Sequence, residues 1–190
     1  MALVGGDELL LDGNRAFLAR EGMGVTLGAI AKGYIADKVK ETLIERGVTS
    51  AVINLGGNVL LIGSKPDGSP FRVGIQDPLG QSGSIIRYID ASDEALVSSG
   101  VYERYFTHEG KRYHHILDPF TGSPSESGVS GVTVICQRSA DADALSTVCL
   151  LLGQEKGLEL IEALPGTEAV FVSDDGTVTA SSGAVNRIYR

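Results

Sequence analysis

Three short segments carry side chains whose types and spacing suit chemistry. In "SADADALSTVCLLLG" a helical reading puts Asp143 and Thr147 four residues apart, on one face opposite the apolar residues. A carboxylate and a hydroxyl are hard oxygen donors, suited to Mg2+ or Ca2+ rather than zinc, with Asp141 and Ser146 nearby to help. Two donors are too few for a dedicated cage. That suits Mg2+, which takes its remaining ligands from water and substrate phosphates. The same face also reads as a solvated one, with Asp placed near a helix N-terminus where the dipole favours it.

The second segment is "TLGAIAKGY", Thr26 to Tyr34. A small-residue turn opens a helix there, so its free N–H groups can receive an anion, and Lys32 in the first turn adds positive charge. The GxxxxGK[ST] spacing of a Walker loop is absent, and a tight strand-to-helix packing corner explains the same residues. The third is "YHHILDPFTG", Tyr113 to Gly122. Asp118-Pro119 and Thr121-Gly122 form a turn, which leaves His115 at a strand end beside a carboxylate, the setting of a general base or of an exposed hairpin histidine. Neither a GxSxG elbow nor a Ser/His/Asp or Cys/His motif points to covalent catalysis.

The elements that must hold these groups follow from periodicity. Residues 8–11 and 15–19 read as strands around "DGN", and residues 28–46 as a helix with Ala31, Ile35, Val39 and Leu43 at i, i+4 spacing, stopped by Gly47. "SAVINLGGNVLLIG" reads as two apolar strands broken by Gly56-Gly57, a tight turn that also lets a flat ring or phosphate approach the backbone. "FRVGIQDP", "SIIRYID" and "SGVTVICQ" are further strands, and "YERYFTHEGKRYHHIL" is a hairpin around His108-Glu109-Gly110. Ser139 is placed to cap the Asp143 helix, whose expected buried side holds Ala142, Leu145, Val148, Cys149 and Leu152. A helix over 154–163 and a closing hairpin plus last strand complete an α+β domain, largely antiparallel sheet with about three helices, across residues 1–190.

Composition bounds the function. A net charge of −8 with no local run of Lys or Arg argues against broad nucleic-acid binding, since phosphates would find no basic surface. Cys136 and Cys149 sit in apolar stretches without CxxC spacing and read as buried thiols. "MALVGGDELLLDG" has the form of neither a signal peptide nor a membrane span.

Taken together, "LGAIAKGYIAD", "VINLGGNVLLIG…PDGSPFRVGIQDP", "SSGVYERYF…GKRYHHILDPFTG" and "SADADALSTVCLLLG" resemble the bacterial FAD:protein FMN transferases, the ApbE family, from about Leu9 to Arg190. The resemblance implies Mg2+-dependent transfer of FMN from FAD to a threonine hydroxyl of an acceptor protein, with AMP released. Acceptors of that family carry a D-[ST]-x-x-[ST]-[AG]-T motif and include quinone reductase subunits. Carried onto this chain, it implies Asp143, Thr147 and the Ala29 carbonyl as metal ligands and His115, in "HILDP", as the base that deprotonates the acceptor. It implies flavin-substrate contacts at Thr26, Lys32 and Ile116, and no role for His114 beyond the hairpin. Related activities follow the same residues: hydrolysis of FAD to FMN and AMP, or flavin binding without turnover.

The family's full-length members continue ahead of the LGxIxKG segment, in a region that supplies part of the flavin pocket, so this chain corresponds to their C-terminal portion. Many carry Asp at the positions of Thr26 and Asn58, and SGDYER where this chain has Val101 in "SGVYER". An extracytoplasmic setting, periplasmic or attached to the cell membrane, is implied by the resemblance alone.

Overall fold

A computed structural model describes residues 3–189. A hairpin of Leu9–Asp12 (β1) and Arg15–Leu18 (β2) leads to helix α1, Ala31–Glu45. Strands Ala51–Asn54 (β3), Asn58–Ile62 (β4), Phe71–Gln76 (β5), Ile85–Ala91 (β6) and Ala95–Gly100 (β7) follow. The hairpin Tyr105–His108 (β8) and Lys111–His114 (β9) precedes the long strand Val129–Cys136 (β10). Helices Ser139–Leu152 (α2) and Gln154–Glu162 (α3) then lead to Glu168–Ser173 (β11), Val178–Ala180 (β12) and Ile188–Tyr189 (β13).

The fold is α+β with antiparallel pairing throughout. Six strands form one sheet in the order β12-β11-β10-β7-β4-β3, and β13-β6-β5 form a second. The large sheet is the middle layer, and its side chains alternate between two cores as the period of two demands. Leu60, Ile62, Val97, Val132, Val134 and Phe171 meet the helices. Their neighbours Leu61, Leu96, Ile135 and Val170 meet the small sheet. Strands buried on both faces read as continuous apolar runs, and this is why "ALVSSG", the central β7, is not recognisable as a strand from its alternation.

Helices α1 and α2 cross at a backbone-to-backbone contact made possible by Gly33. A Cβ there would lie 2.7 Å from Ala140 Cα and nearer still to the Ser139 carbonyl. The face of α1 turned inward therefore carries Gly33 and Ala36, with Leu43 packed on the core. Ile35 and Val39, prominent in the i, i+4 pattern, stay 52% and 37% exposed.

Two expectations for α2 are corrected. Ser139 is its first residue and not its cap: the capping groups are the carboxylate oxygens of Asp37 on α1, which accept the Ser139 and Ala140 N–H groups at 2.8 and 2.9 Å. Ser139 Oγ instead donates to Asn58 Oδ1 at 2.8 Å. The buried arc holds Ala142, Asp143, Ser146, Cys149 and Leu150, while Val148 and Leu152 are exposed. Hydrophobicity alone rotated the helix wrongly, because the buried arc includes polar groups with specific partners. Asp37→Ala is expected to lower unfolding free energy by about 1–2 kcal/mol in urea denaturation, the cost of a lost N-cap.

Both cysteines are free and buried, and burial pushes each thiol up to about 11. No helix among the described residues is long and apolar enough to cross a membrane.

Candidate active site

A cavity of about 530 Å³ opens where the start of α1, the first turns of α2, the end of β7 and the segment after β9 converge. Ala29, Lys32, His115, Ile116, Asp143 and Thr147 all line it. Thr26 does not; its Oγ1 accepts the Gly28 N–H at 3.3 Å in the turn before α1. Asp141 lies outside as well, exposed and paired with Arg138 at 3.4 Å.

The α1–α2 crossing builds the oxygen-rich wall. Asp143 is 5% exposed, and its Oδ2 accepts the Gly33 N–H at 2.8 Å. Gly33 is the third residue of α1, so its N–H is among the first four that have no acceptor within the helix, and Asp143 supplies one. The Ala29 carbonyl, in the turn ahead of α1, has no backbone hydrogen-bond donor among the described residues. Burial raises the Asp143 pKa above the ordinary carboxylate range, against the opposing pull of the Gly33 N–H and the Lys32 ammonium. A buried carboxylate in this state gains from a cation beside it. Thr147, one turn further along α2, adds a hydroxyl.

Carboxylate, hydroxyl and main-chain carbonyl form an all-oxygen set that fits Mg2+ and does not suit zinc. Among the described residues there is no group of three or more His, Cys, Asp or Glu side chains poised for a metal. The set accordingly fits an ion that completes its shell with water and phosphate. Lys32 Nζ donates to the Gly56 carbonyl at 3.2 Å, which ties the cationic side chain to the "NLGGN" turn. Gly56 and Gly57 both have positive φ (64° and 84°), a conformation open to glycine, and the turn is fastened by Asn54 Oδ1 on the Gly56 N–H and by the Ser98 N–H on the Gly57 carbonyl.

His115 comes from a different part of the chain, just past β9. The β8–β9 hairpin turns through Glu109 and Gly110, both with positive φ, as two-residue loops require. Just past β9, the His115 N–H and its Nδ1 both contact the Arg104 carbonyl, at 3.1 and 3.3 Å. A carbonyl only accepts, so Nδ1 is the donor, and the neutral ring in this tautomer has its lone pair on Nε2. The orienting group is thus a main-chain carbonyl and not the neighbouring carboxylate. Asp118 serves the turn, its Oδ1 accepting the Phe120 and Thr121 N–H groups at 2.7 and 3.2 Å. His115 is exposed, whereas His114 is 8% exposed and bonds the Ser125 carbonyl through Nε2 at 3.1 Å, fastening the hairpin to the next loop. Ile116 is buried and belongs to the core as well as the cavity wall.

Sequence reasoning passed over the hydroxyls of β7. Ser98 and Ser99 both line the cavity, with Ser98 Oγ 2.8 Å from Thr133 Oγ1 and Ser99 Oγ 3.2 Å from Thr147 Oγ1. The available signal was the "SSG" ahead of "VYER", polar residues at the end of an apolar run.

The sequence and the fold have counterparts among known proteins. The chain is 42% identical over 179 residues to the FAD:protein FMN transferase of Treponema pallidum, covering 90% of this chain and 49% of that protein. It is 39% identical over 184 residues to that of Klebsiella pneumoniae, covering 96% and 56%. Among solved structures, the ApbE protein of Thermotoga maritima superposes with a TM-score of 0.85 at 34% identity, over 94% of this chain and 58% of that one. The chain therefore spans about half the length of the curated relatives it matches. The sequence model of the ApbE family matches residues 1–171, and the residues that converge on the cavity lie in that span, so this chain belongs to the ApbE family.

Proposed function

We propose that this chain carries the metal and base side of an FAD:protein FMN transferase, which moves FMN from FAD onto a threonine hydroxyl of an acceptor protein. The observation that carries the reading is the convergence of Ala29, Lys32, Asp143, Thr147 and His115 on one cavity from separate parts of the chain. In this reading His115 Nε2 takes the proton from the acceptor threonine, whose oxygen forms a bond to the FMN phosphorus. The pyrophosphate P–O bond breaks, and AMP departs with the bridging oxygen. Asp143, Thr147 and the Ala29 carbonyl would hold Mg2+, which would supply charge neutralisation on the phosphates. Most N–H groups at the start of α1 are already bonded within the protein, so Lys32 and the helix dipole supply the positive field in a chain whose net charge of −8 would otherwise repel FAD. Thr26 and Ile116 contribute flavin-substrate contacts, and Thr26 does so from the turn before α1.

The acceptor is a protein bearing the D-[ST]-x-x-[ST]-[AG]-T motif, such as a quinone reductase subunit, and the setting is extracytoplasmic. The test is incubation with FAD, Mg2+ and a motif-bearing acceptor, with the remainder of the family's length supplied. An FMN mass adduct on the acceptor threonine is the expected result. Free FMN and AMP on chromatography, with no adduct, would mean hydrolysis in place of transfer. No Mg2+-dependent turnover of either kind would leave a flavin-binding protein without catalysis.

A further inference from the structure

A hydroxyl ligates a cation through a lone pair, so Thr147 can do so only when its proton points elsewhere. Three hydrogen bonds decide where it points. Ser146 Oγ donates to the Asp143 main-chain carbonyl at 2.9 Å, and its single proton is committed there. Ser99 Oγ lies 2.8 Å from Ser146 Oγ, so Ser99 is the donor in that pair. Ser99 Oγ also lies 3.2 Å from Thr147 Oγ1. With the Ser99 proton already engaged, Thr147 must donate to Ser99. One orientation alone makes all of these bonds: Thr147 to Ser99, Ser99 to Ser146, and Ser146 to the carbonyl. The lone pairs of Thr147 are left for the cavity that it lines beside Asp143.

We propose that Ser99, backed by Ser146, is a positioning residue that turns the Thr147 proton away from the cavity and so makes Thr147 a cation ligand. The inference rests on the reading of Asp143 and Thr147 as a divalent-cation site. Ser146 is fully buried and does not line the cavity, so it acts through Ser99. Removing the Ser99 hydroxyl deprives the Thr147 proton of its acceptor. Removing the Ser146 hydroxyl frees the Ser99 proton to point at Thr147 Oγ1, which drives the Thr147 proton toward the cavity.

The test uses Mn2+ alone as the probe, titrated into the protein and followed by loss of the free-ion electron paramagnetic resonance signal. Ser99→Ala is expected to weaken Mn2+ binding about tenfold and Ser146→Ala about threefold, the scale of one hydrogen bond. Thr147→Val weakens it too, and adding Ser99→Ala to Thr147→Val costs nothing more, because Ser99 acts only through that hydroxyl. A packing role would instead give additive losses, and melting curves would report it. Unchanged Mn2+ affinity in Ser99→Ala, or additivity in the double variant, overturns the positioning role. If Asp143→Asn weakens Mn2+ binding while Ser99→Ala does not, that role falls and the cation site stands. If the protein binds no Mn2+, or Asp143→Asn has no effect, the cation site falls and the positioning role falls with it.

Discussion

His115→Ala is expected to slow FMN transfer by about a hundredfold to ten-thousandfold, the range over which a positioned general base contributes. Folding stability should hardly change. The His115 side chain is exposed, and its one hydrogen bond, to the Arg104 carbonyl, is duplicated by its own main-chain N–H. Mn2+ affinity should also survive, because the oxygen donors come from α2 and the turn ahead of α1, and not from the segment after β9. His114→Ala should behave in the opposite way. That ring is buried and ties the hairpin to the loop at Ser125, so the loss appears first in melting temperature. Initial rates of acceptor flavinylation, read beside melting curves, separate the two. A His115→Ala protein transferring FMN at the unaltered rate would remove the base from the mechanism.

Gly33→Ala should be strongly destabilising for a change of a single methyl group. Intrinsic helix propensity argues the other way, since alanine in a helix interior is favoured over glycine by about 1 kcal/mol. Packing overrules propensity here. The added Cβ would meet the Ser139 carbonyl and the Ala140 Cα of α2, and both are backbone atoms that have no rotamer to retreat into. Relief requires α1 to move off α2, and that movement breaks the Gly33–Asp143 bond and both Asp37 bonds to the α2 N-terminus. Overpacking of this kind costs about 3 kcal/mol, at the upper end of its usual range. Urea unfolding should register that loss. Any folded fraction should bind Mn2+ poorly, because Asp143 has lost its anchor. A Gly33→Ala protein as stable as the original would mean that the two helices do not meet backbone to backbone.

Much of the site is legible in the chain because its parts are local. Asp143 and Thr147 are one helical turn apart, and helix geometry alone sets them on a common face. Lys32 falls in the first turn of α1 and His115 at the end of a hairpin whose Glu109-Gly110 turn announces itself. Positions that depend on a distant partner were read less well. The cap of α2 comes from Asp37, about a hundred residues earlier in the chain, and no scan of residues next to Ser139 would find it. The exposed Val148 and buried Asp143 reverse an amphipathic reading for a similar reason: hydrophobic patterning assigns a carboxylate to solvent, while the Gly33 N–H offers it a buried place.

What the sequence by itself determined is the set of elements and the chemical alphabet of the site. Period-two and period-3.6 patterns specify strands and helices through local sterics, and oxygen donors with a histidine make a hard cation and a base the chemistry to expect. Tertiary structure alone decided the directions of protons and carbonyls. The tautomer of His115 is set by Arg104, the Gly33 N–H at the start of α1 is taken by Asp143, and the Thr147 proton is turned by Ser99 on a strand that periodicity does not reveal. Each of these is a hydrogen bond between groups far apart in sequence or on different elements, and its polarity depends on what the fold brings within about 3 Å.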